Sequence, residues 1–535
     1  MRLLRSSNQS GSRGRLSLRV PVVVIVGVLA LAMNFVASAA GSASTAKHLS
    51  PSATKPVMGG TATVDIIGGT WPTLDPSMPT SQTSEFPYFA SIYGTLFDVN
   101  SSGQLVPDLA TQYAISPDGK TVTIDLRPKV TFSDGTPFTS AAVKWNLTRD
   151  ALASTNCLCT PFLQAVRAVT TPNKTTVVIH LKNRYSPLMG VLTTSPGAFF
   201  VSPSAYQSEG VGFQTAPIGA GPYKVSSDVP NSTLTLVKNS RYWDAKHVYL
   251  NQLNLVVVGT GASAVAAVAS HTAQLATGLA PADVTTAKGL GVPIVSTPAL
   301  GYYMFQMNQY LAPFNNPIAR EALQYATNPA AISAAVLLGT AKTTEVMTGP
   351  AQTPFYGYKL KGAITYDPAK AKALVQQLGG LSFSFFTIAN SGIWPQMAQA
   401  LVQQWAAVGI NATAQVIPHN VAVTYMTNGT GQAELDTYGI YLDPLLSMQT
   451  IAQCGATINH TYCDHAVDHL MLKVAASNNP TSQLNYYGQM WKQMLITDHG
   501  YVPLTVAPVF DAFGTTTHIT TPIGGFIYYK NFWLS

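Results

Sequence analysis

Charged side chains are scarce in this sequence. Asp, Glu, Lys and Arg make up 10% of the 535 residues, against roughly 25% in a typical globular protein. The formal charge of +7 includes five arginines within residues 1–19, so the rest of the chain carries only +2. Binding to a phosphate backbone needs lysines and arginines clustered on the folded part of a protein. The composition therefore argues against a nucleic-acid partner.

The familiar sequence signatures of catalysis are also lacking. The chain contains no G-x-S-x-G motif, no HExxH motif and no phosphate-binding loop. We therefore expect no enzyme, no catalytic residue and no cofactor. An exported hydrolase whose nucleophile and base meet only in the folded chain is the less favoured alternative.

Residues 1–40 have the parts of an export signal. A basic segment precedes an uncharged run from Val20 to Ala40, which ends near the small residues Ala-Ser-Ala at 37–39. A run of about 20 uncharged residues also spans a bilayer if it is not cleaved, so we expect either a removed signal or a retained anchor. Both place the body of the chain outside the cytoplasm, in the periplasm or at the cell surface. No cysteine lies near the cleavage zone, which excludes a lipoprotein.

Cysteines number only four, and exported thiols tend to be paired. Cys454 and Cys463 would close a short loop. Cys157 and Cys159 are separated by one residue, so a bond between them would be strained. We predict the first disulfide and leave the second open.

A cluster of cysteines and histidines comprises Cys454, His460, Cys463, His465 and His469. These side chains suit zinc, but the spacing lacks the short C-x2-4-C pair of most structural sites. We predict a helix that starts after Asp464 and turns an apolar stripe inward, which leaves His465 and His469 together on the exposed face. A disulfide-pinned loop without metal is the favoured interpretation, and free thiols or a metal site are the alternatives.

The chain is organised as a tether, a β-rich block and a mixed block. Residues 41–58 are small, polar and proline-containing, as in a flexible tether. Alternating apolar residues predict strands at 61–67, 120–128 and 174–182. Thr139 or Ser140 caps a predicted helix at this place in the chain. From about residue 262, helices rich in Ala, Gln and Leu alternate with strands, and strands return near residue 501.

Several segments carry a family resemblance. "LVPDLA", "SPDGKT" and "FSDGTPFTSAAVKW" occur between Tyr93 and Arg149, and "TLDP", "GAGPYKV" and "RYWDAK" occur elsewhere. In order and spacing they resemble the family 5 extracellular solute-binding proteins, the dipeptide, oligopeptide and nickel receptors of ABC importers. The resemblance implies an α/β, two-lobed periplasmic-binding-protein-like fold with a hinge and an extra subdomain in the first lobe.

The resemblance also implies the domain limits and the function. Lobe I would comprise 59–85, 200–262 and 503–535, its subdomain 86–199, and lobe II 263–502. The chain would be a monomeric extracytoplasmic receptor that captures a peptide or other small solute between closing lobes and delivers it to a membrane permease. A receptor for a nickel-type metal chelate is the alternative.

Three segments are candidates for the ligand site between the lobes. The third of them aligns with the segment that lines the family's pocket. The second precedes a helix N-terminus, which suits an anion. The candidate residues are Trp71 and Thr73 in the first segment, Asn390, Ser391 and Trp394 in the second, and Tyr438, Gly439, Ile440, Tyr441 and Asp443 in the third.

Position 440 departs from the family pattern. Peptide-binding members place an Asp four residues before the proline of this segment, where it pairs with the ammonium group of the peptide. Here that position, counted back from Pro444, is Ile440. An unpaired buried charge costs several kcal/mol, so we expect free-amine peptides to bind poorly and a sugar, a modified peptide or an apolar compound to be preferred. Asp436 and Asp443 are the acids that could substitute.

Overall fold

The computed structural model describes residues 55–69, 71–78, 85–155, 157–297, 300–352, 355–389, 393–439, 441–456, 460–520 and 527–535. The predicted signal or anchor at 1–40, most of the predicted tether, Asn390, Ser391 and Ile440 lie outside these ranges. Within the described ranges, no helix combines the length and the apolar character needed to span a bilayer.

The strands of the described residues are short to medium in length. They are β1 (Thr61–Ile67), β2 (Phe97–Val99), β3 (Leu105–Pro107), β4 (Ala110–Ile115), β5 (Thr121–Leu126), β6 (Val166–Asn173), β7 (Thr176–Leu181), β8 (Tyr223–Val229), β9 (Thr233–Lys238), β10 (Gln252–Val258), β11 (Leu275–Thr277), β12 (Ile294–Thr297), β13 (Tyr302–Met307), β14 (Leu381–Ile388), β15 (Ile410–Ile417), β16 (Ala433–Tyr438), β17 (Tyr501–Val506), β18 (Val509–Phe513), β19 (Thr517–His518) and β20 (Trp533–Leu534).

The α-helices are α1 (Phe86–Tyr93), α2 (Ser140–Asp150), α3 (Thr160–Leu163), α4 (Leu188–Thr194), α5 (Pro203–Glu209), α6 (Gly261–Ala269), α7 (Pro281–Gly289), α8 (Pro317–Ala326), α9 (Pro329–Val336), α10 (Pro368–Gln377), α11 (Ile393–Ala406), α12 (His419–Asn428), α13 (Pro444–Ile451), α14 (His465–Ala476) and α15 (Pro480–Lys492).

Three larger sheets organise these elements. A seven-stranded sheet has the order β12-β18-β11-β1-β10-β9-β8, and its central strand β1 runs parallel to both β10 and β11. A five-stranded sheet has the order β15-β14-β16-β13-β17, and a four-stranded sheet has the order β4-β5-β7-β6. The four-stranded sheet is antiparallel throughout and lies between β1 and β8 in the sequence.

The chain passes between the seven- and five-stranded sheets at two places that lie side by side. One passage joins β12 to β13 and the other joins β17 to β18. At these passages the Ala507 amide donates to the Gly301 carbonyl at 2.9 Å. The lobe limits near residues 262 and 503, which the family resemblance implies, stay a prediction. Helices α6 and α7 pack on the seven-stranded sheet through residues such as Val265 and Val284.

Several predicted helices and strands agree with the structure, and each of them was predicted from residues close together in the sequence. Strand β1 covers the predicted residues 61–67. Thr139 caps α2, where its Oγ1 accepts from the Ala142 amide at 3.4 Å. The sequence Asn328-Pro329 predicts a break between two short helices, and the structure separates α8 from α9 there, with the Asn328 side chain capping α9. The return of β structure at the C-terminus is smaller than expected, since β20 covers two residues and follows a 3-10 turn at Tyr529–Asn531.

The cysteine and histidine cluster forms a stapled loop followed by a helix. The structure joins Cys454 to Cys463, the pair favoured from the sequence, and also joins Cys157 to Cys159, which the sequence left open. Asp464 caps α14 by accepting from the Ala466 amide at 2.7 Å. The histidines His465 and His469 are exposed, as the predicted helix face requires.

Buried apolar residues form a large cluster that joins parts distant in sequence. It includes Val64 of the seven-stranded sheet, Ile124 of the four-stranded sheet, and Leu445 and Trp491 of α13 and α15. The other face of the five-stranded sheet carries a separate core in which Phe305 packs edge-on against Trp405 with ring centroids 4.9 Å apart. Helices α13 to α15 therefore belong to the same core as the four-stranded sheet.

Candidate functional site

The segment that follows β16 lies between the five-stranded sheet and the helices around the four-stranded sheet. The Gln352 side chain donates to the carbonyls of Gly439 at 3.2 Å and Tyr441 at 2.8 Å. From the other side, Thr194 Oγ1 accepts from the Leu442 amide at 3.3 Å. The ring of Phe162 packs edge-on against Tyr441 at 5.5 Å. The third predicted binding segment is thus held by two separate parts of the molecule.

Gly439 has a backbone conformation that favours glycine. Its φ is +87°, and a Cβ added there would lie 2.5 Å from Tyr302 Cε1 and 2.9 Å from the Leu300 carbonyl oxygen. The Tyr302 side chain is fully buried, and its hydroxyl has no hydrogen-bond partner among the described residues. The end of β16 therefore packs tightly onto the first passage between the sheets.

Asp443 is engaged in structural bonds. Its Oδ1 accepts from the Leu445 amide at 2.9 Å, which caps α13, and from the Tyr487 hydroxyl at 3.1 Å. Burial raises the pKa of Asp443, and the two hydrogen bonds partly oppose this rise. This carboxylate is already committed within the fold, so it is a poor substitute for the acid missing at position 440.

Two further acids lie on the same face of β16 as Tyr438. Glu434 is 2% exposed, and its Oε1 accepts from the Tyr438 hydroxyl at 3.0 Å. Burial, followed by the charge of Asp436, raises the pKa of Glu434 to about 8. Burial also raises the pKa of Asp436 to about 7, although its Oδ1 accepts from the Thr437 amide at 2.6 Å. Removing these carboxyl groups from water makes the neutral form of Glu434 the favoured one at neutral pH.

Trp71 and Thr73 make their described contacts near the seven-stranded sheet. The Trp71 indole N–H donates to Asp228 Oδ1 at 2.9 Å, and its ring packs edge-on against Tyr88 at 5.5 Å. Thr73 is 3% exposed, and its Oγ1 accepts from the Asp75 amide at 3.1 Å. These contacts stabilise the fold, and none of them involves the segment after β16, so a role of either residue in ligand binding stays a prediction.

Trp394 belongs to the five-stranded sheet region. Its ring packs edge-on against Tyr303, with ring centroids 5.1 Å apart. Trp394 lies in the first turn of α11, which begins at Ile393, two residues before the helix start that Pro395 predicts. Tyr303 neighbours Thr437 across the strand pair β13–β16. Trp394 is thus the candidate of the second segment that the structure places near the end of β16.

Several contacts of this site gave little signal in the sequence. Gln352, Thr194 and Phe162 come from loops and helices far along the chain, and no local pattern distinguishes them. Glu434 did give a signal, because it lies two residues before Asp436 on one face of β16, so that two acids share one face of a short strand. A search for charged residues at buried strand positions finds it.

Replacing Gln352 with alanine is expected to loosen the segment after β16. The change removes both donors to the Gly439 and Tyr441 carbonyls, and each lost hydrogen bond costs about 1 kcal/mol. Hydrogen–deuterium exchange of the peptide that spans residues 438–446 should accelerate in the variant. Gln376→Ala on the exposed side of α10 is the matched control. Unchanged exchange in Gln352→Ala would show that other contacts hold the segment.

Replacing Trp71 with phenylalanine is expected to lower stability by about 1–2 kcal/mol. The ring contact with Tyr88 is largely kept, but the hydrogen bond to the Asp228 carboxylate is lost. Urea unfolding measures the change. Asp228→Asn retains an acceptor for the indole and should lose less stability. Equal stability of Trp71→Phe and the parent would mean that the bond to Asp228 contributes little to the fold.

Metal-binding side chains come together at one place in the described part of the chain. Ligand atoms of Cys454, Cys463 and His465 lie within 4.8 Å of one another. The two sulfur atoms are joined in the disulfide, and a thiolate is the form of cysteine that binds metal. This cluster is distinct from the segment after β16.

Comparison with solved structures identifies the type of fold. AgaA of A. tumefaciens R10, solved with agropinic acid, matches with a TM-score of 0.80 and 21% identity over 89% of this chain and 99% of that chain. The periplasmic binding protein DppA of Helicobacter pylori, solved with the peptide STSA, matches with a TM-score of 0.81 and 20% identity over 89% and 98%. These matches confirm the predicted two-lobed α/β fold of periplasmic binding proteins.

Sequence comparison identifies the family. The glutathione-binding protein GsiB of Escherichia coli K12 is 26% identical over 465 residues, which cover 83% of this chain and 89% of GsiB. The family model of the bacterial extracellular solute-binding proteins, family 5, middle region, matches residues 104–459. That match spans more than half of the chain and includes the segment after β16. The chain therefore belongs to the family 5 bacterial extracellular solute-binding proteins.

Proposed function

We propose that the chain is the substrate-binding receptor of an ABC importer and captures a small solute beside the segment 438–443. Family membership supports solute binding. One observation supports this location of the solute site. The segment contacts Gln352 on one side and Thr194 and Phe162 on the other. A ligand bound there contacts two parts of the fold at once, so its binding energy favours one arrangement of them.

The lobes and partners form part of the same proposal. The seven-stranded sheet with the four-stranded subdomain makes one lobe, and the five-stranded sheet makes the other. The receptor is a monomer that acts outside the cytoplasm and passes its solute to a membrane permease. It binds without chemical conversion, because the members of its family are binding proteins.

The preferred solute lacks a free ammonium group at the position where a peptide would place one. Ile440 replaces the acid that peptide-binding members use, and Asp443 is engaged by Leu445 and Tyr487. Burial also favours the neutral form of Glu434. An ammonium group at this place would lose its water without gaining a full counter-charge, and that loss costs several kcal/mol.

A thermal-shift panel on the full chain tests the function. The panel contains unmodified di- to pentapeptides, N-acetylated peptides, glutathione, sugars and a nickel–histidine chelate. A specific ligand at about 100 times its Kd stabilises the folded state by about 2.7 kcal/mol. We expect a shift from N-acetylated peptides or sugars and none from unmodified peptides. A shift from the nickel chelate alone would favour the metal-chelate receptor instead, and turnover of a bound peptide would favour the hydrolase.

Ile440→Asp tests the solute class separately from the receptor function. The variant restores the acid of the peptide-binding members, so it should gain binding of unmodified peptides by at least about tenfold. Ile440→Asn has a similar size without the charge and should not gain it. Calorimetry that finds micromolar binding of unmodified peptides by the parent chain would contradict the proposed solute class while leaving the receptor function intact.

A further inference from the structure

The cysteine and histidine cluster at the start of α14 contains the donor atoms of a metal site, but its two cysteines are oxidised to a disulfide. Sγ of Cys454, Sγ of Cys463 and a ring nitrogen of His465 lie within 4.8 Å of one another. The sulfur atoms form a disulfide. Two sulfurs and one imidazole are a donor set that zinc and softer divalent cations prefer once the sulfurs are thiolates.

The carboxylate of Asp468 contacts two residues of this cluster. Asp468 Oδ1 accepts from the Cys454 amide at 3.0 Å, and Asp468 Oδ2 lies 3.2 Å from His465 Nδ1. A metal-binding histidine commonly donates its second ring N–H to a carboxylate, which fixes the tautomer and the ring orientation. With Nδ1 held by Asp468, Nε2 of His465 is the nitrogen left to bind a cation.

The backbone on both sides of the disulfide is anchored by bonds that do not involve sulfur. Asp468 holds Cys454, as described above. Cys463 stands between Tyr462 and the helix cap Asp464. Tyr462 is 1% exposed, and its hydroxyl donates to Asp498 Oδ2 at 2.6 Å. Asp464 accepts from the Ala466 amide at 2.7 Å. Breaking the sulfur–sulfur bond therefore leaves both cysteines close to their present places.

We propose that the reduced form of this cluster binds one soft divalent cation, such as Zn²⁺ or Cd²⁺, through Cys454, Cys463 and His465. A dithiol reductant transfers two electrons to the sulfur–sulfur bond, which breaks. The reductant becomes a disulfide, and its two protons give the two thiols. The cation then displaces one proton from each thiol into solvent. The fourth position is open to water or to His469, which lies one turn further along the exposed face of α14. This site does not depend on the proposed solute.

The second disulfide provides an internal comparison. Cys157 and Cys159 are both fully buried in the large core. Among the described residues, no group of three potential metal ligands includes either of them. Reduction of that pair yields two buried thiols that no imidazole joins in a potential metal site of the described residues and that a metal ion in solvent cannot reach directly. The two disulfides therefore differ in what they become after reduction.

Cobalt(II) titration of the full chain tests the proposal, because thiolate-bound cobalt has a charge-transfer absorption in the near ultraviolet. The chain is reduced with a phosphine, freed of it under nitrogen and titrated. We expect one Co²⁺ per reduced chain, none for the oxidised chain, and displacement by an equal amount of Zn²⁺. The double variant Cys454→Ser/Cys463→Ser keeps the buried pair and gives the background. Equal absorption by the reduced parent and this double variant would overturn the proposal.

Two single variants test the imidazole and the carboxylate. His465 is exposed, so His465→Ala should fold as the parent does, which circular dichroism checks. Its affinity for Co²⁺ should fall by at least about tenfold. Asp468→Asn should weaken binding by about tenfold to a hundredfold. Unchanged affinity in His465→Ala would contradict the assigned set of ligands, because binding would then rest on the thiolates alone.

Discussion

Replacing Glu434 with glutamine is expected to abolish much of the loss of stability that the protein suffers as the pH rises from about 5 to about 8. In the folded chain, burial and the nearby Asp436 raise the pKa of Glu434 from 4.5 to about 8. Between these values the unfolded chain releases the proton and the folded chain keeps it. Stability is therefore full below the unfolded pKa and falls as the pH rises toward the folded pKa. Glutamine cannot ionise, so its contribution does not change with pH.

The size of this effect follows from the pKa shift. One pKa unit corresponds to about 1.4 kcal/mol, and allowing for relaxation around the buried acid we expect a gain on the order of 3 kcal/mol for Glu434→Gln at pH 9 relative to the parent. The glutamine carbonyl still accepts from the Tyr438 hydroxyl. Its amide also faces Gln306, which lies opposite in the strand register and has a buried Oε1 without a partner among the described residues.

Urea unfolding at pH 5, 7 and 9 measures the effect. The variant and the parent should have similar stability at pH 5 and diverge as the pH rises, and a smaller slope from Asp436 should remain in both. Glu209→Gln, at the exposed end of α5, is the matched control and should show the slope of the parent. Parallel pH profiles for Glu434→Gln and the parent would mean that Glu434 is already ionised in the folded chain.

Replacing Gly439 with alanine is expected to destabilise the protein by about 2–4 kcal/mol and to weaken solute binding by more than tenfold. The backbone φ of +87° costs an L-residue roughly 1–2 kcal/mol. The new Cβ would also lie 2.5 Å from the ring of buried Tyr302 and 2.9 Å from the Leu300 carbonyl oxygen. Overpacking of this kind costs about 1–3 kcal/mol. The segment must shift to relieve these contacts, and this shift disturbs the proposed binding surface.

A second glycine separates backbone strain from crowding. Gly379 has a φ of +71°, and nothing lies within 4 Å of the position where its Cβ would be. Gly379→Ala should therefore lose about 1 kcal/mol and keep solute binding. Thermal unfolding and calorimetry with a solute from the panel measure both variants. Equal losses in the two variants would mean that the contact with Tyr302 and Leu300 relaxes freely.

The elements that could be predicted from the sequence are those whose signals are local. Alternation defines β1, and a capping threonine defines the start of α2. The aspartate cap and apolar stripe of α14 predicted the exposed position of His465. These patterns depend on neighbouring residues only, so tertiary packing had little to override.

The assignment of strands to sheets could not be predicted from composition, because it depends on pairing between distant residues. Composition changes near residue 262, where α6 begins, but β11 and β12 still pair with the seven-stranded sheet. Similarly, β17 extends past residue 503 within the five-stranded sheet before the chain returns in β18. A change in composition marks where helices start and does not reveal which sheet a short strand joins.

The location of the ligand site stays a prediction. The family resemblance pointed to the segment after β16, and the structure places it between two parts of the fold. The partners that hold it could not be predicted, since Gln352 and Thr194 lie 87 and 248 residues away from the groups they bind. Such long-range contacts leave no periodic pattern in a single sequence.

The two hydrogen bonds from Gln352 have a consequence for substitutions at position 440. They hold the carbonyls of Gly439 and Tyr441, the two neighbours of residue 440. These two carbonyls are therefore held by a side chain that lies 87 and 89 residues away in the sequence. Under the proposed function, a substitution at position 440 would change the preferred solute while Gln352 keeps its bonds to the two neighbouring carbonyls.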